Sequence, residues 1–412
     1  MHTKLLRCAL LGSALAIVAL PALGADASRE AMKRTLALNG KHALDKQAKG
    51  VKGSGLGSAA ATYTDLHDFA GADGESPSAN VTVDKTGNVY GTTDFGGVNG
   101  EGVVFQMAQD GTETVLYSFT GGNDGGAPDG GVLVKPKGTI YGTTGSGGSS
   151  GNGTIFQLST KGKLKVLHAF GGNDGSFIRG NLVADKQGNI YGTALFGGVN
   201  DDGTVYKYGS DGTFSVVHAF NGDDGEFPEH GLAIDKDGNL YGVTAFGGTD
   251  DNGTVFKITA DGTFSTLYNF TGGADGGFLY GTVAVDKDGN VYGNAAGGGA
   301  DDNGTVFKIA ANGTFTTLYT FTGGTDGGDP EGNMLVVGKN LYGAASGGGD
   351  PSCQCGAIYK VDSKGHETVL HAFLGSDGEG YSAGVTSGNH LLYGTAGGGA
   401  NNDGVVFSVT KK

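Results

Sequence analysis

From residue 62 onward the chain is written in short apolar runs broken by clusters of Gly, Asp, Asn and Ser, and the pattern returns every 50 or 51 residues. The fourth unit shows the rule. Gly231 to Asp235 predicts a first strand, and Lys236-Asp237-Gly238 turns into a second, Asn239 to Thr244. A Gly/Asp-rich loop from Phe246 to Asn252 leads to a third strand, Thr254 to Ile258. Asp261-Gly262 then turns into a fourth, Thr263 to Phe270. Strict alternation there places Phe264, Thr266, Tyr268 and Phe270 on one face and Ser265, Leu267 and Asn269 on the other. Asp-Gly and Gly-Asn between β-rich runs are hairpin chemistry, because glycine reaches positive φ without a Cβ penalty.

Four markers each occur seven times. Tyr-Gly begins at Tyr90, Tyr141, Tyr191, Tyr241, Tyr292, Tyr342 and Tyr393. Asp-Gly begins at Asp73, Asp124, Asp174, Asp224, Asp275, Asp326 and Asp377. A closing Phe stands at 69, 119, 170, 220, 270, 321 and 373, and a Gly-x-(Val/Ile)-(Phe/Tyr) motif begins at 102, 153, 203, 253, 304, 356 and 404. Four strands per unit, seven times over, predict an all-β protein: a closed seven-bladed β-propeller with four antiparallel strands per blade. The last unit stops at Phe407-Ser408-Val409-Thr410, one strand short, while Thr62–Phe69 repeats the pattern of Thr263–Phe270. The N-terminal strand is therefore expected to complete the last blade, which removes exposed sheet edges.

In the fourth unit the repeat reads Phe220-Asn221-Gly222-Asp223-Asp224-Gly225, then Asp235 to Gly242, Gly247-Gly248 and Gly253-Thr254-Val255-Phe256. With its six counterparts, over roughly residues 62–412, it resembles the GloVer tandem repeat of bacterial extracellular proteins. The resemblance implies secretion, a propeller-like fold and often an appended cell-surface anchor. It implies no reaction and no catalytic residues. No anchor segment is read in Val409-Thr410-Lys411-Lys412, which points the expectation to free secretion or the periplasm. Kelch blades have a similar period, but the absence of Trp argues against them.

Composition agrees. Glycine supplies 84 of 412 residues without a G-X-Y period, which excludes collagen, and 21 Phe with 16 Tyr argue against a low-complexity chain. Residues 1–24 read as a signal peptide: Lys4 and Arg7, an apolar stretch from Cys8 to Leu20, then small residues at Ala22-Leu23-Gly24. Residues 25–60 read as a basic leader with a disordered Gly/Ser linker, and 61–412 as the propeller. Residues 61–412 hold 18 Lys/Arg and 39 Asp/Glu, a net of −21, so their surface repels nucleic acid. No other long apolar run suggests a membrane span, and a monomer is expected.

A residue present seven times most economically serves the blade, so function is sought where the sevenfold pattern breaks. The Tyr of Tyr-Gly is expected to pack between blades. Asp73 and its six equivalents read either as acceptors of turn N–H groups or as a cation-binding ring near the channel. Five residues beyond each Asp stand Ser78, Asp129, Arg179, Glu229, Tyr280, Glu331 and Ser382, and one step further His230 alone is large. Asp129, Arg179, Glu229, His230, Tyr280 and Glu331 are thus candidates for one ligand pocket over the axis, with acid–base capacity. The bland reading is that Arg179 neutralises Asp129 and Glu229 on neighbouring blades. Asp201, Asp202, Asp250, Asp251, Asp301 and Asp302 are weak candidates for Ca²⁺, the one cofactor considered, against solvated loop charge. Phe95, Phe196 and Phe246 either stack on a sugar or cap blade cores. Cys353 and Cys355 can form a local disulfide.

No phosphate loop, His-Glu-x-x-His or nucleophile elbow is present. The leading expectation is a secreted, non-enzymatic scaffold that binds a protein or carbohydrate through its Gly/Asp-rich loop face. The alternatives are a lyase or hydrolase acting on a polysaccharide or small cyclic ester with a divalent cation, and a structural envelope protein.

Overall fold

The computed structural model describes residues 61–380 and 383–411. The signal peptide, the leader and Ser382 lie outside the described residues. Within them the chain forms seven four-stranded antiparallel sheets. In blade 4, in order from the axis outward, the strands are Ala233–Ile234, Leu240–Thr244, Thr254–Ile258 and Phe264–Asn269. The other blades repeat this order. In blade 7, Thr386–Gly388, Leu391–Ala396 and Val405–Thr410 are joined by Tyr63–Asp68, which pairs antiparallel with Val405–Thr410.

The innermost strands span only two or three residues, shorter than the five-residue runs that the apolar pattern predicts. The reason lies at the axis, where consecutive blades meet backbone to backbone. A Cβ on Gly180 would lie 2.3 Å from the Gly231 nitrogen, and one on Gly281 would lie 2.3 Å from the Gly332 carbonyl oxygen. At these two junctions only a residue without a side chain permits that approach, whereas Ala79, His230 and Ala383 hold the equivalent positions in three other blades.

Apolar cores fill the junctions between sheets. The expected role of Tyr-Gly holds: Tyr90 of blade 1 packs with Ile140 and Phe156 of blade 2, and Tyr393 of blade 7 packs with Val89 and Phe105 of blade 1. The seven closing phenylalanines are at most 1% exposed. Truncating one to Ala would cost about 3–5 kcal/mol.

The strict alternation expected in the outer strand is corrected by a bulge. In blade 4, Val255 faces Tyr268 and Phe256 faces Thr266, so Leu267 is the extra residue and turns toward the core with Tyr268. The same shift occurs in all seven outer strands. It increases local twist, which suits the outermost strand of a blade.

The repeated aspartates are structural. Asp235 Oδ1 accepts the backbone N–H groups of Asp237 and Asn239, and its Oδ2 accepts Asn239 Nδ2 and the Tyr241 hydroxyl. Partial burial opposes ionisation of this carboxyl, but these hydrogen bonds outweigh it and lower its pKa. The Asp73 series does not form a ring at the channel. Each member closes the turn after an outer strand and holds a His or Tyr of that strand, as Asp224 does with the Asn221 N–H and His218 Nε2.

Candidate functional site

One face of the ring carries the loops between second and third strands together with the connectors that lead from one blade to the next. Backbone bridges such as Glu226 to Phe246 bind the two sets together. The connectors deliver Ser78, Asp129, Arg179 and Glu229 to equivalent positions in four consecutive blades, and these side chains join end to end. The Ser78 hydroxyl lies 2.8 Å from Asp129 Oδ1. Arg179 Nε donates to Asp129 Oδ2, and Arg179 Nη1 donates to Glu229 Oε1 at 3.0 Å. Asp129 and Arg179 are nearly buried, and the Glu229 side chain is fully so.

Ser78 also lies 2.7 Å from Asp94 Oδ1. A hydroxyl has one proton and cannot donate to two carboxylates at once. Burial, followed by the neighbouring charge of Asp129, raises the Asp94 pKa well above the ordinary carboxyl range. The consistent arrangement is a protonated Asp94 donating to Ser78, which donates to Asp129. Burial works against the Arg179 cation, but Asp129 and Glu229 more than compensate and raise its pKa.

His230 follows Glu229 and is half-buried. Burial holds its imidazole below the ordinary histidine pKa and favours the neutral ring, against the pull of Glu229. Two buried atoms at this end of the network have no hydrogen-bond partner, Glu229 Oε2 and His230 Nδ1. Tyr280 is buried one blade further on, and Glu331 is half-buried in the connector after that. Four of the six sequence candidates (Asp129, Arg179, Glu229 and His230) therefore form one electrostatic cluster. Asp94 and Ser78 complete it and were not among them. Asp94 was detectable: its counterparts four residues after each Tyr are Gly145, Leu195, Ala245, Ala296, Ser346 and Gly397.

The connectors and the neighbouring loops between second and third strands also carry aromatic rings. Phe177, Phe196, Phe227, Phe246 and Phe278 touch in sequence across blades 3 to 5, with centroid separations of 6.0, 5.1, 6.0 and 5.5 Å. Phe227 and Phe246 are buried, and Phe177, Phe196 and Phe278 are partly exposed. Phe177, Phe227 and Phe278 adopt φ of 54°, 58° and 59°, a region bulky residues rarely occupy. The equivalent Ser76, Ala127 and Asp329 do the same, so the fold imposes this conformation and three consecutive blades fill it with Phe.

The acidic loop pairs are out of register with one another. Asp201, Asp251 and Asp302 are equivalent, and each accepts a hydrogen bond from a loop glycine: Gly197, Gly247 and Gly298 respectively. Asp202 is buried, whereas Asp250 and Asp301 are exposed loop residues. Cys353 and Cys355 are joined as a disulfide with Cα atoms 5.2 Å apart. At the outer rim, burial, reinforced by Asp73 beside Glu113 and Asp326 beside Glu367, pushes these two glutamates up to about 7 and about 8. No helix among the described residues is long and apolar enough to cross a membrane.

The Gloeobacter/Verrucomicrobia repeat matches the chain three times, over residues 49–236, 167–351 and 231–412. No curated protein matches the sequence. Solved structures resemble it at low identity. Puromycin hydrolase gives a TM-score of 0.53 at 12% identity, over 79% of this chain and 51% of that one. The extracellular domain of a hybrid two-component system from B. thetaiotaomicron gives 0.53 at 10% identity, over 85% of this chain and 42% of that one. A gluconolactonase from Xanthomonas campestris gives 0.42 at 13% identity, over 66% of this chain and 82% of that one. At these identities the likeness is one of fold.

Proposed function

The chain belongs to the Gloeobacter/Verrucomicrobia repeat family, and from that premise we propose that it is a secreted, non-enzymatic propeller that binds a ligand or partner on the face bearing its inter-blade connectors. The observation that carries this reading is the aromatic arc from Phe177 to Phe278, confined to three consecutive blades and rimmed by partly exposed rings. Rigid aromatic groups supply contact area at low entropic cost, and binding surfaces concentrate them. The charges of Asp129, Arg179 and Glu229 are committed largely to one another, which suits a scaffold better than a reacting centre. Residues 1–24 supply the secretion signal in this reading.

A specific observation favours a second reading, a hydrolase or lyase: Glu229 Oε2 and His230 Nδ1 are buried without partners beside a cation. One experiment separates the two. Soluble oligosaccharides, small lactones and peptides are titrated against the natural chain, Phe177→Ala and Glu229→Gln, with melting curves to establish folding. Binding without turnover, weakened about tenfold or more by Phe177→Ala, is the expected result. Turnover that disappears in Glu229→Gln would establish the enzyme instead. A ligand bound equally well by all three chains would remove this face from the proposal.

A further inference from the structure

A second site lies at the outer rim, away from the axial cluster, and does not depend on the binding role proposed above. At most junctions between outer strands, the first residue of one strand covers the His or Tyr of the preceding blade with an apolar or aromatic group. Phe214 stacks on His168 at 3.7 Å, Phe264 on His218 at 3.8 Å, Phe315 on Tyr268 at 4.1 Å, and Tyr63 on His371 at 3.8 Å. Two junctions depart from this rule by placing a glutamate there. Glu113 of blade 1 meets His67 and Asp73, and Glu367 of blade 6 meets Tyr319 and Asp326.

The first of these junctions has a ligand set that the second lacks. One ligand atom from each of His67, Asp73 and Glu113 lies within 4.8 Å of the other two, and His67 Nε2 is 2.9 Å from Asp73 Oδ2. Glu113 Oε1 and Glu367 Oε1 are both buried without a hydrogen-bond partner, but among the described residues only Glu113 belongs to a three-ligand group that includes an imidazole. A buried, unpartnered carboxylate oxygen is costly, and an aromatic ring would avoid that cost, as it does at four other junctions. The arrangement becomes favourable if a cation occupies the space between the three side chains.

We propose that His67, Asp73 and Glu113 bind a divalent transition-metal ion, best matched by Zn²⁺, across the seam between blades 7 and 1. One imidazole nitrogen and two carboxylate oxygens are a borderline ligand set that suits Zn²⁺ and is too poor in oxygen for Ca²⁺. Tetrahedral bonds of about 2.0–2.2 Å bring ligand atoms to roughly 3.4 Å from one another, so small side-chain rotations close the site. A fourth position is left for water. The ion would tie the strand Tyr63–Asp68 to the outer strand of blade 1, beside the place where the two ends of the propeller meet.

The repeat provides its own control. Glu113→Phe restores the stack seen with His168 and His218, so it is expected to fold and melt at or above the metal-free natural chain. The chelated, dialysed full chain is titrated with ZnCl₂ by calorimetry and melting, with CaCl₂ in parallel. The proposal requires one saturable Zn²⁺ equivalent and a melting shift of about 4 °C at a concentration roughly 100-fold above the dissociation constant. It also requires loss of both in Glu113→Phe. Equal Zn²⁺ binding by the natural chain and Glu113→Phe, stronger stabilisation by Ca²⁺, or no saturable binding would overturn it.

Discussion

Arg179 stands between two carboxylates that come from sites 50 residues to either side of it in sequence. Replacing it with Met leaves Asp129 and Glu229 buried with no cation between them. The expected loss is about 3–5 kcal/mol in urea unfolding at pH 8. The deficit should shrink at pH 5, because unpaired buried carboxyls have raised pKa values and the folded variant takes up protons. An equal deficit at both pH values would refute this account. Glu367 provides a second pH test. Burial, followed by Asp326, pushes its pKa to about 8, against about 4.3 in an unfolded chain. The folded state therefore binds the extra proton between those values, and this group lowers stability as pH rises through that window. Glu367→Gln should raise the melting temperature at pH 8 and leave it unchanged at pH 4. The chain Asp129–Arg179–Glu229 was legible because one column of the repeat alternates in charge. Asp94 and Glu113 leave the same kind of trace, a carboxylate in a column of mostly small or apolar residues, but both columns lie outside the connector column that carries Asp129, Arg179 and Glu229.

At the scale of the element, the repeated Asp-x-x-Gly-Asn-x-Tyr segment is a self-contained hairpin lock. Asp235→Ala removes an acceptor used by two backbone N–H groups and two side chains, and should cost about 2 kcal/mol. Hydrogen exchange should accelerate at Asp237 and Asn239 while the fold survives. Blade 2 shows why it survives: Lys135 replaces the Asp there, yet its N–H still bonds the Thr139 carbonyl at 2.8 Å. Third strands were readable to the residue, as at Thr254–Ile258, because burial on both faces leaves a continuous apolar run. Inner strands were overestimated because crowding at the axis, rather than hydrophobicity, ends their pairing. The outer-strand bulge was invisible because Leu267 fits either face by composition, and register alone decides.

At the scale of the molecule, the pairing of Tyr63–Asp68 with Val405–Thr410 covers an edge that would otherwise be open. A chain beginning at Gly57 should melt like the full chain and sediment as one species. A chain beginning at Ala72 lacks the covering strand and should self-associate through Val405–Thr410, with a lower melting temperature. Equal behaviour of the two shortened chains in sedimentation velocity would show that the strand is dispensable. The number of blades could be counted from the repeat alone, since each unit carries every marker. The charges near the axis acquire their meaning only from the ring, because residues 50 apart become neighbours when units are wound around a common centre.

The glycine contacts at the axis limit how such a protein can grow. Each blade is a modular copy, so duplication of one unit is genetically simple. Gly180 and Gly281 nevertheless approach the connector of the next blade so closely that no side chain fits between them, which ties these contacts to the present angle between neighbouring blades. An eighth copy would change the angle between neighbouring blades and disturb each of these contacts at once. Diversification within this architecture should therefore proceed by rewriting connectors, three at a time in the case of the phenylalanines, and not by lengthening the array.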